Sequence, residues 1–303
     1  MIYENILDLI GNTPLFKINN MGIKDKDTEI YVKLEKSNPA GSVKDRAVFG
    51  MIEGLEKRGE LKKGDVLVEA TSGNTGIALS MVGRVKGYEV IIVMPETMSI
   101  ERRNLMKAYG AKLILTDGKE GMSGALNKAQ ELLDSDSNYK SLKQFENEDN
   151  PNIHYRTTAV EIYNDIEDID IFICGVGTSG TLTGVAKYLK EKKPDVKVIA
   201  IEPTKSPAIS EGKSGPHKIQ GIGANFVPKN YDETLVDEVI TVHDDDAFET
   251  VRVLAEKEGL LAGVSSGANV FGAIEISKKY PGKKIVTIAP DGVDKYMSMG
   301  IFD

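Results

Sequence analysis

The sequence predicts an α/β protein long enough for two domains. Short β-branched apolar runs alternate with segments of helical period over most of the chain, the pattern of parallel strands joined by helical crossovers. At 303 residues the chain exceeds what one hydrophobic core usually serves. With 41% hydrophobic and 28% charged residues, its composition is that of a soluble enzyme rather than a fibrous or disordered chain.

Strands are expected at Ile30–Leu34, Val66–Glu69, Val90–Val93, Lys112–Leu115, Ile169–Cys174, Val196–Ile201 and Ile285–Ala289. Their mostly apolar runs suit strands buried on both faces. The helix after Ser42 shows its period clearly, because Ala47, Val48, Met51, Ile52 and Leu55 fall on one face. Ser42 and Asp45 have capping-box spacing, with Asp in place of the commoner Glu, which starts that helix just before Lys44. The polar stretch from Ser135 to Asn152 reads as a domain boundary or as a loop over the site. No repeat of 20–50 residues and no low-complexity tract interrupts the chain.

Bulk properties exclude several classes. A net charge of −8 gives no electrostatic reason to expect nucleic acid or an anionic membrane as partner. Cys174 is the only cysteine, so no internal disulfide framework exists and a reducing compartment is implied. It ends an apolar run, where a buried structural thiol is expected rather than a nucleophile. Met1-Ile2-Tyr3-Glu4-Asn5 lacks the basic and apolar regions of a secretion signal. No apolar stretch reaches the ~18 residues of a membrane span. A cytoplasmic location is expected, and no metal site.

Four loops carry the candidate chemistry. Thr71-Ser72-Gly73-Asn74-Thr75-Gly76 joins an apolar run to a helical one and packs three hydroxyls and an amide into five residues. That exceeds what a helix cap requires, and it suits a carboxylate or phosphate at a helix N-terminus. Lys44 lies in the Gly/Pro/Ser-rich loop Asn38–Arg46, at a helix start whose dipole disfavours an ammonium. A neutral amine there can form a Schiff base and then move protons, which together with an anion cradle suggests amino-acid chemistry on pyridoxal phosphate. Gly175-Val176-Gly177-Thr178-Ser179-Gly180-Thr181 follows a strand and contains G-x-G-x-x-G, with Glu202 closing the next strand. A dinucleotide site would use those residues, but the hydroxyls suit a terminal phosphate better than a bridging pyrophosphate. Gly263-Val264-Ser265-Ser266-Gly267-Ala268 leads into a helix and is by itself only an N-cap.

In combination these loops resemble the cysteine synthase (O-acetylserine sulfhydrylase) family of fold type II, β-family pyridoxal-phosphate enzymes. The resemblance runs nearly end to end. It includes Ile10–Leu15, Lys36–Arg46, Glu69–Leu79, Met94–Ser99 with Glu101-Arg102-Arg103, and Lys218–Ala224. It implies a tryptophan synthase β-like architecture of two mostly parallel sheets with the active site between domains. Residues 41–147 would be the smaller, mobile domain, and 1–40 with 148–303 the larger. By motif, Lys44 would be the Schiff-base lysine that also abstracts the Cα proton, and Asn74 would bond the cofactor's 3′ oxygen. Thr71, Ser72, Asn74, Thr75 and Gln144 would hold the substrate, with Gly221 and Asn225 beside it. Gly177, Thr178, Ser179, Gly180 and Thr181 would cup the phosphate, and Ser265 would face the pyridine nitrogen. A hydroxyl cannot hold that nitrogen protonated as a carboxylate would, which suits β-elimination and discourages transamination. The implied reaction is ping-pong β-replacement through an aminoacrylate, O-acetyl-L-serine and sulfide giving L-cysteine and acetate, in a homodimer.

Departures from the family pattern leave other outcomes open. Asn225 stands where glycine is usual. Either the backbone there never needs a positive φ, or the side chain narrows the pocket, places water near Cβ, and favours loss of sulfide from cysteine to give serine. Ser179 also replaces a usual glycine, and Ala70 a frequent proline. Ser123 replaces a common lysine at the face that receives the serine acetyltransferase tail, so that complex would lose a basic contact. The alternatives within the class are a cysteine lyase (desulfhydrase) and a serine-using β-synthase. Outside it stand a pyridoxal-binding regulator and an NAD-dependent dehydrogenase, the latter giving no role to Lys44 or the Asn74 loop.

Overall fold

A computed structural model describes residues 2–302. Among the described residues ten strands form two sheets: β1 (Leu15–Ile18), β2 (Glu29–Leu34), β3 (Val66–Ala70), β4 (Glu89–Pro95), β5 (Lys112–Thr116), β6 (Tyr139–Lys140), β7 (Ile171–Gly175), β8 (Lys197–Pro203), β9 (Glu238–Val242) and β10 (Lys284–Ala289). The helices between them are α1 (Lys44–Arg58), α2 (Asn74–Lys86), α3 (Ile100–Ala108), α4 (Gly121–Ser135), α5 (Asp149–Ile153), α6 (Ala159–Asp165), α7 (Gly180–Lys192), α8 (Asp244–Glu258) and α9 (Val264–Lys279).

One sheet is six-stranded, in the order β1-β2-β10-β7-β8-β9, and parallel except for the antiparallel edge strand β1. The other is four-stranded and wholly parallel, in the order β5-β4-β3-β6. The α/β class with two mostly parallel sheets is therefore as expected. All seven expected strands form, with ends shifted by a few residues. Expectation missed β1, β6 and β9: β6 is only two residues long, while β1 and β9 are edge strands that are mostly only partly buried.

The predicted face of α1 enters the core around the smaller sheet, where Val48, Met51 and Ile52 are fully buried. Its opposite side meets the larger sheet. There Arg46 reaches Glu35 after β2 through Nε at 2.8 Å, and Glu161 on α6 through Nη1 at 2.6 Å. Lys33 joins the same cluster, 2.9 Å from Glu161. So α1 packs on one sheet and is ion-paired to the other.

The reciprocal capping box does not form. Ser42 Oγ accepts the Lys44 N–H at 3.2 Å, but Asp45 turns back to the Ala40 N–H at 2.6 Å. Asp is one carbon shorter than Glu, and the Asn38–Gly41 turn brings a nearer donor. Cys174 is buried and free, as expected, and burial pushes its thiol up to about 12. Ser135–Asn152 runs from the end of α4 through β6 and the Gln144 loop into α5, so it both links the sheets and borders the cleft.

Candidate active site

The site lies beyond the carboxyl ends of parallel strands, where open α/β sheets bind ligands. Loops after β2, β3, β7 and β10 meet there and enclose a cleft of about 360 Å³. Hydrogen bonds across the loops fix their approach. Val43 N–H donates to the Pro290 carbonyl at 2.8 Å, and Lys295 Nζ donates to the carbonyls of Ala40 (3.0 Å) and Gly41 (2.9 Å). The turn carrying Lys44 is thereby held against the segment after β10.

Lys44 is the first residue of α1 and lines the cleft. Burial pulls its ammonium below the ordinary range, opposed chiefly by the negative charge of Asp291. The reduced basicity expected from the helix start is present, with desolvation its leading cause.

Ser72, Asn74 and Thr75 line the wall opposite, at the start of α2. Thr75 Oγ1 donates to Gln144 Oε1 at 2.8 Å, so two residues 69 apart in sequence face the cleft as a pair. Thr71 does not line the cleft; it is buried behind the loop, its Oγ1 accepting the Gly73 N–H at 3.4 Å.

Gly177 and Thr178 line the cleft, and Ser179, Gly180 and Thr181 continue from them into the first turn of α7. That helix has no side-chain cap, and Ser179 sits in the left-handed region at φ +65°. This explains the family's glycine there: serine adopts this backbone at a modest strain cost. The Ser179 hydroxyl is shared with Thr183 Oγ1 at 3.1 Å, and Thr181 Oγ1 lies 3.3 Å from His154 Nε2. Burial holds His154 near 3, so it stays neutral. Ser265 opens α9, is buried, and lines the cleft beside Gly221.

Asn225 is misplaced by expectation on both counts. Its φ is +66°, so the backbone does adopt the left-handed form that favours glycine. Its side chain is exposed, with Oδ1 accepting from Ser206 Oγ at 2.8 Å; Ala224, not Asn225, borders the cleft. Glu202 is equally unavailable for a ribose. Its carboxylate is taken by the N–H groups of Ile209 (2.8 Å) and Ser210 (3.0 Å).

Sequence reasoning missed Asp291, Tyr296 and the placement of Arg102. Asp291 is buried and accepts from Asn74 Nδ2 at 2.6 Å and Tyr296 OH at 2.5 Å. Arg102 spans the cleft from α3, donating to Gln220 Oε1 at 2.9 Å and the Lys295 carbonyl at 3.3 Å, and lies 5.1 Å from the Tyr296 ring centre. Pro290-Asp291 directly after a strand was the only available signal, and it is a common dipeptide.

The model of the pyridoxal-phosphate-dependent enzyme family matches residues 6–291, and the chain belongs to that family. Cysteine synthase of Staphylococcus aureus is 48% identical over 302 residues, covering 99% of this chain and 97% of the relative. Among solved structures, cysteine synthase from Entamoeba histolytica superposes with a TM-score of 0.97 at 44% identity, covering 100% of this chain and 91% of that one. A hydrogen sulfide-producing enzyme from Fusobacterium nucleatum has a TM-score of 0.93 and 50% identity, with 98% of each chain covered.

The residues present fit pyridoxal phosphate. Asn74 Oδ1 and Asp291 Oδ1 are buried without a partner among the described residues, as expected where a polar ligand completes a site. The uncapped start of α7 offers N–H groups and dipole to a phosphate. A methyl group at Gly177 would collide with the Gly221 carbonyl, so the loop is as close to its neighbour as backbone allows.

Proposed function

We propose that the chain replaces the β-substituent of an L-amino acid, converting O-acetyl-L-serine and sulfide to L-cysteine and acetate. The observation that carries this is the convergence, in one cleft, of a deprotonation-prone Lys44, the Ser72–Thr75/Gln144 pair of loops and an uncapped α7. When bound, pyridoxal phosphate supplies an electron-withdrawing ring that makes the substrate Cα–H acidic. Lys44 would hold the cofactor and, with its amine free, would accept the substrate Cα proton on Nζ. Ser72, Asn74, Thr75 and Gln144 orient the substrate, Gln144 being fixed by its bond from Thr75. The α7 N-terminus holds the phosphate dianion, with Thr178 anchored by Asn150 Nδ2 at 3.0 Å. Ser265 would donate to the ring nitrogen without a charge of its own, which would moderate the electron sink.

Residues 41–147 are taken to move as a unit that shuts water out of the cleft. Support comes from the four-stranded sheet lying wholly within them. A homodimer rests on the resemblance, and sedimentation velocity reads it.

The second reading, release of sulfide from cysteine, is favoured by the 50% identity to a hydrogen sulfide-producing enzyme. One set of assays separates the two. Cysteine formation from O-acetylserine and sulfide is expected to exceed sulfide release from cysteine by at least about tenfold in kcat/KM. The reverse order would hand the function to the lyase reading.

A further inference from the structure

Asp291 ends the run after β10 and is 1% exposed. Its backbone ties together the loops that build the cleft: its carbonyl accepts the Gly263 N–H at 3.0 Å, and it bridges to Ser42 beside Lys44. On its side chain, Oδ2 accepts from both Asn74 and Tyr296, and Oδ1 has no partner among the described residues. A buried carboxylate so half-satisfied is costly unless a cation lies near.

Three cations face it: Lys44, Lys295 and Arg102. Lys295 is engaged by the carbonyls of Ala40 and Gly41. Arg102 is engaged by Gln220, the Lys295 carbonyl and, at 3.4 Å, the Ser72 carbonyl. The Lys44 amine has no hydrogen bond or ion pair among the described residues. Lys295 and Arg102 keep their charge beside Asp291, but of the three only the Lys44 amine, in the cleft that Asp291 also lines, has its donors unengaged among the described residues.

We propose that Asp291 is a positioning residue with two duties: counter-ion to Lys44, and anchor that sets the orientation of the Asn74 amide. When the Cα–H bond breaks and its proton forms an N–H bond on Lys44, the new ammonium is balanced by a carboxylate already in place. No other partner is consumed, and no redox step is involved. The inference deepens the proposed function and rests on it for the identity of the proton donor.

The electrostatics run in the required direction. Burial lowers Lys44 and raises Asp291; the Asp291 charge opposes the shift of Lys44, while hydrogen bonds from Tyr296 and Asn74 and the charges of Lys295 and Arg102 oppose that of Asp291. Besides Asp291, Lys44 faces Cys174 and His154. Asp291 also faces Tyr296, Lys295 and Arg102, while Lys295 in turn faces Asp45 and Asp294. Deleting the Asp291 charge removes stabilisation from the Lys44 ammonium, so the amine should deprotonate at lower pH.

The test is trace acetylation of the cofactor-free full-length protein between about pH 6 and 11, with the Lys44 peptide read by mass spectrometry. Asp291→Asn is expected to move the Lys44 midpoint down by about one pH unit. Asp294→Asn removes an exposed carboxylate from the same turn and is expected to move it by less than about 0.2 unit. An unchanged midpoint in Asp291→Asn, or equal shifts in both variants, overturns the counter-ion role. If the asparagine variant melts early, Asp291→Ser, smaller and uncharged, should give the same downward shift. Loss of the proposed function would appear elsewhere, as absence of a pyridoxyl label on Lys44, because this titration needs no cofactor.

Discussion

At the scale of single residues, burial sets most of the chemistry. Glu69, next to last in β3, accepts from Ser141 Oγ at 3.0 Å and the Leu142 N–H at 3.3 Å, steadying the segment that leads to Gln144. Burial raises it to about 7. Because the folded value lies above the unfolded one, its stabilising contribution is full below about pH 4.3 and is lost as pH rises through about 7. Glu69→Gln should therefore raise stability at pH 8.5 by about 2–3 kcal/mol relative to wild type, and change it little at pH 4.5. Urea midpoints at the two pH values check this. Asn225 makes the opposite point. With its side chain bonded to Ser206 outside the cleft, Asn225→Gly should leave sulfide release from cysteine unchanged. A severalfold change in that rate would restore the specificity role the structure takes away.

At the scale of elements, the loops after parallel strands line the candidate cleft, and their closeness is testable. Gly177 has no room for a Cβ against the Gly221 carbonyl. Gly177→Ala should force this loop away from Gly221 and weaken cofactor retention by at least about tenfold, read as loss of visible absorbance on dialysis. The loops themselves were legible because each packs Gly and hydroxyls between an apolar run and a helical one. Lys44 and Ser265 were legible only through their motifs, since a lone lysine or serine at a helix start is common. Asp291, Arg102 and Tyr296 carry no such local signal. Arg102 bonds Gln220, 118 residues away, and Asn74 bonds Asp291, 217 residues away. Contacts of that separation are fixed by topology, which composition and periodicity do not encode. The capping box failed for a subtler reason: the spacing was right, but a turn supplied Asp45 with a nearer donor.

At the scale of the molecule, α1 couples the two sheets through Arg46, Glu35, Glu161 and Lys33. Burial would raise the Glu161 carboxyl, but the Arg46 guanidinium and Lys33 ammonium prevail and hold it at about 2. Its contribution is thus full above about pH 4.3 and fades as acid brings the pH down toward 2. Arg46→Ala would leave Glu35 buried without its cation, at a cost of about 3–5 kcal/mol. The urea midpoint should drop accordingly, while Arg46→Met together with Glu35→Leu should recover part of the loss. A single change that costs under about 1 kcal/mol would show that α1 is held by its apolar face alone. The same strut keeps the start of α1, and hence Lys44, in register with the loops of the larger sheet.

Hydride reduction of the yellow holoenzyme, followed by digestion and mass spectrometry, asks where the cofactor is attached. A pyridoxyl group on Lys44, absent from Lys44→Ala treated in parallel, is the predicted result. The label on any other lysine, or an unlabelled Lys44 in protein whose colour has been bleached, would contradict it.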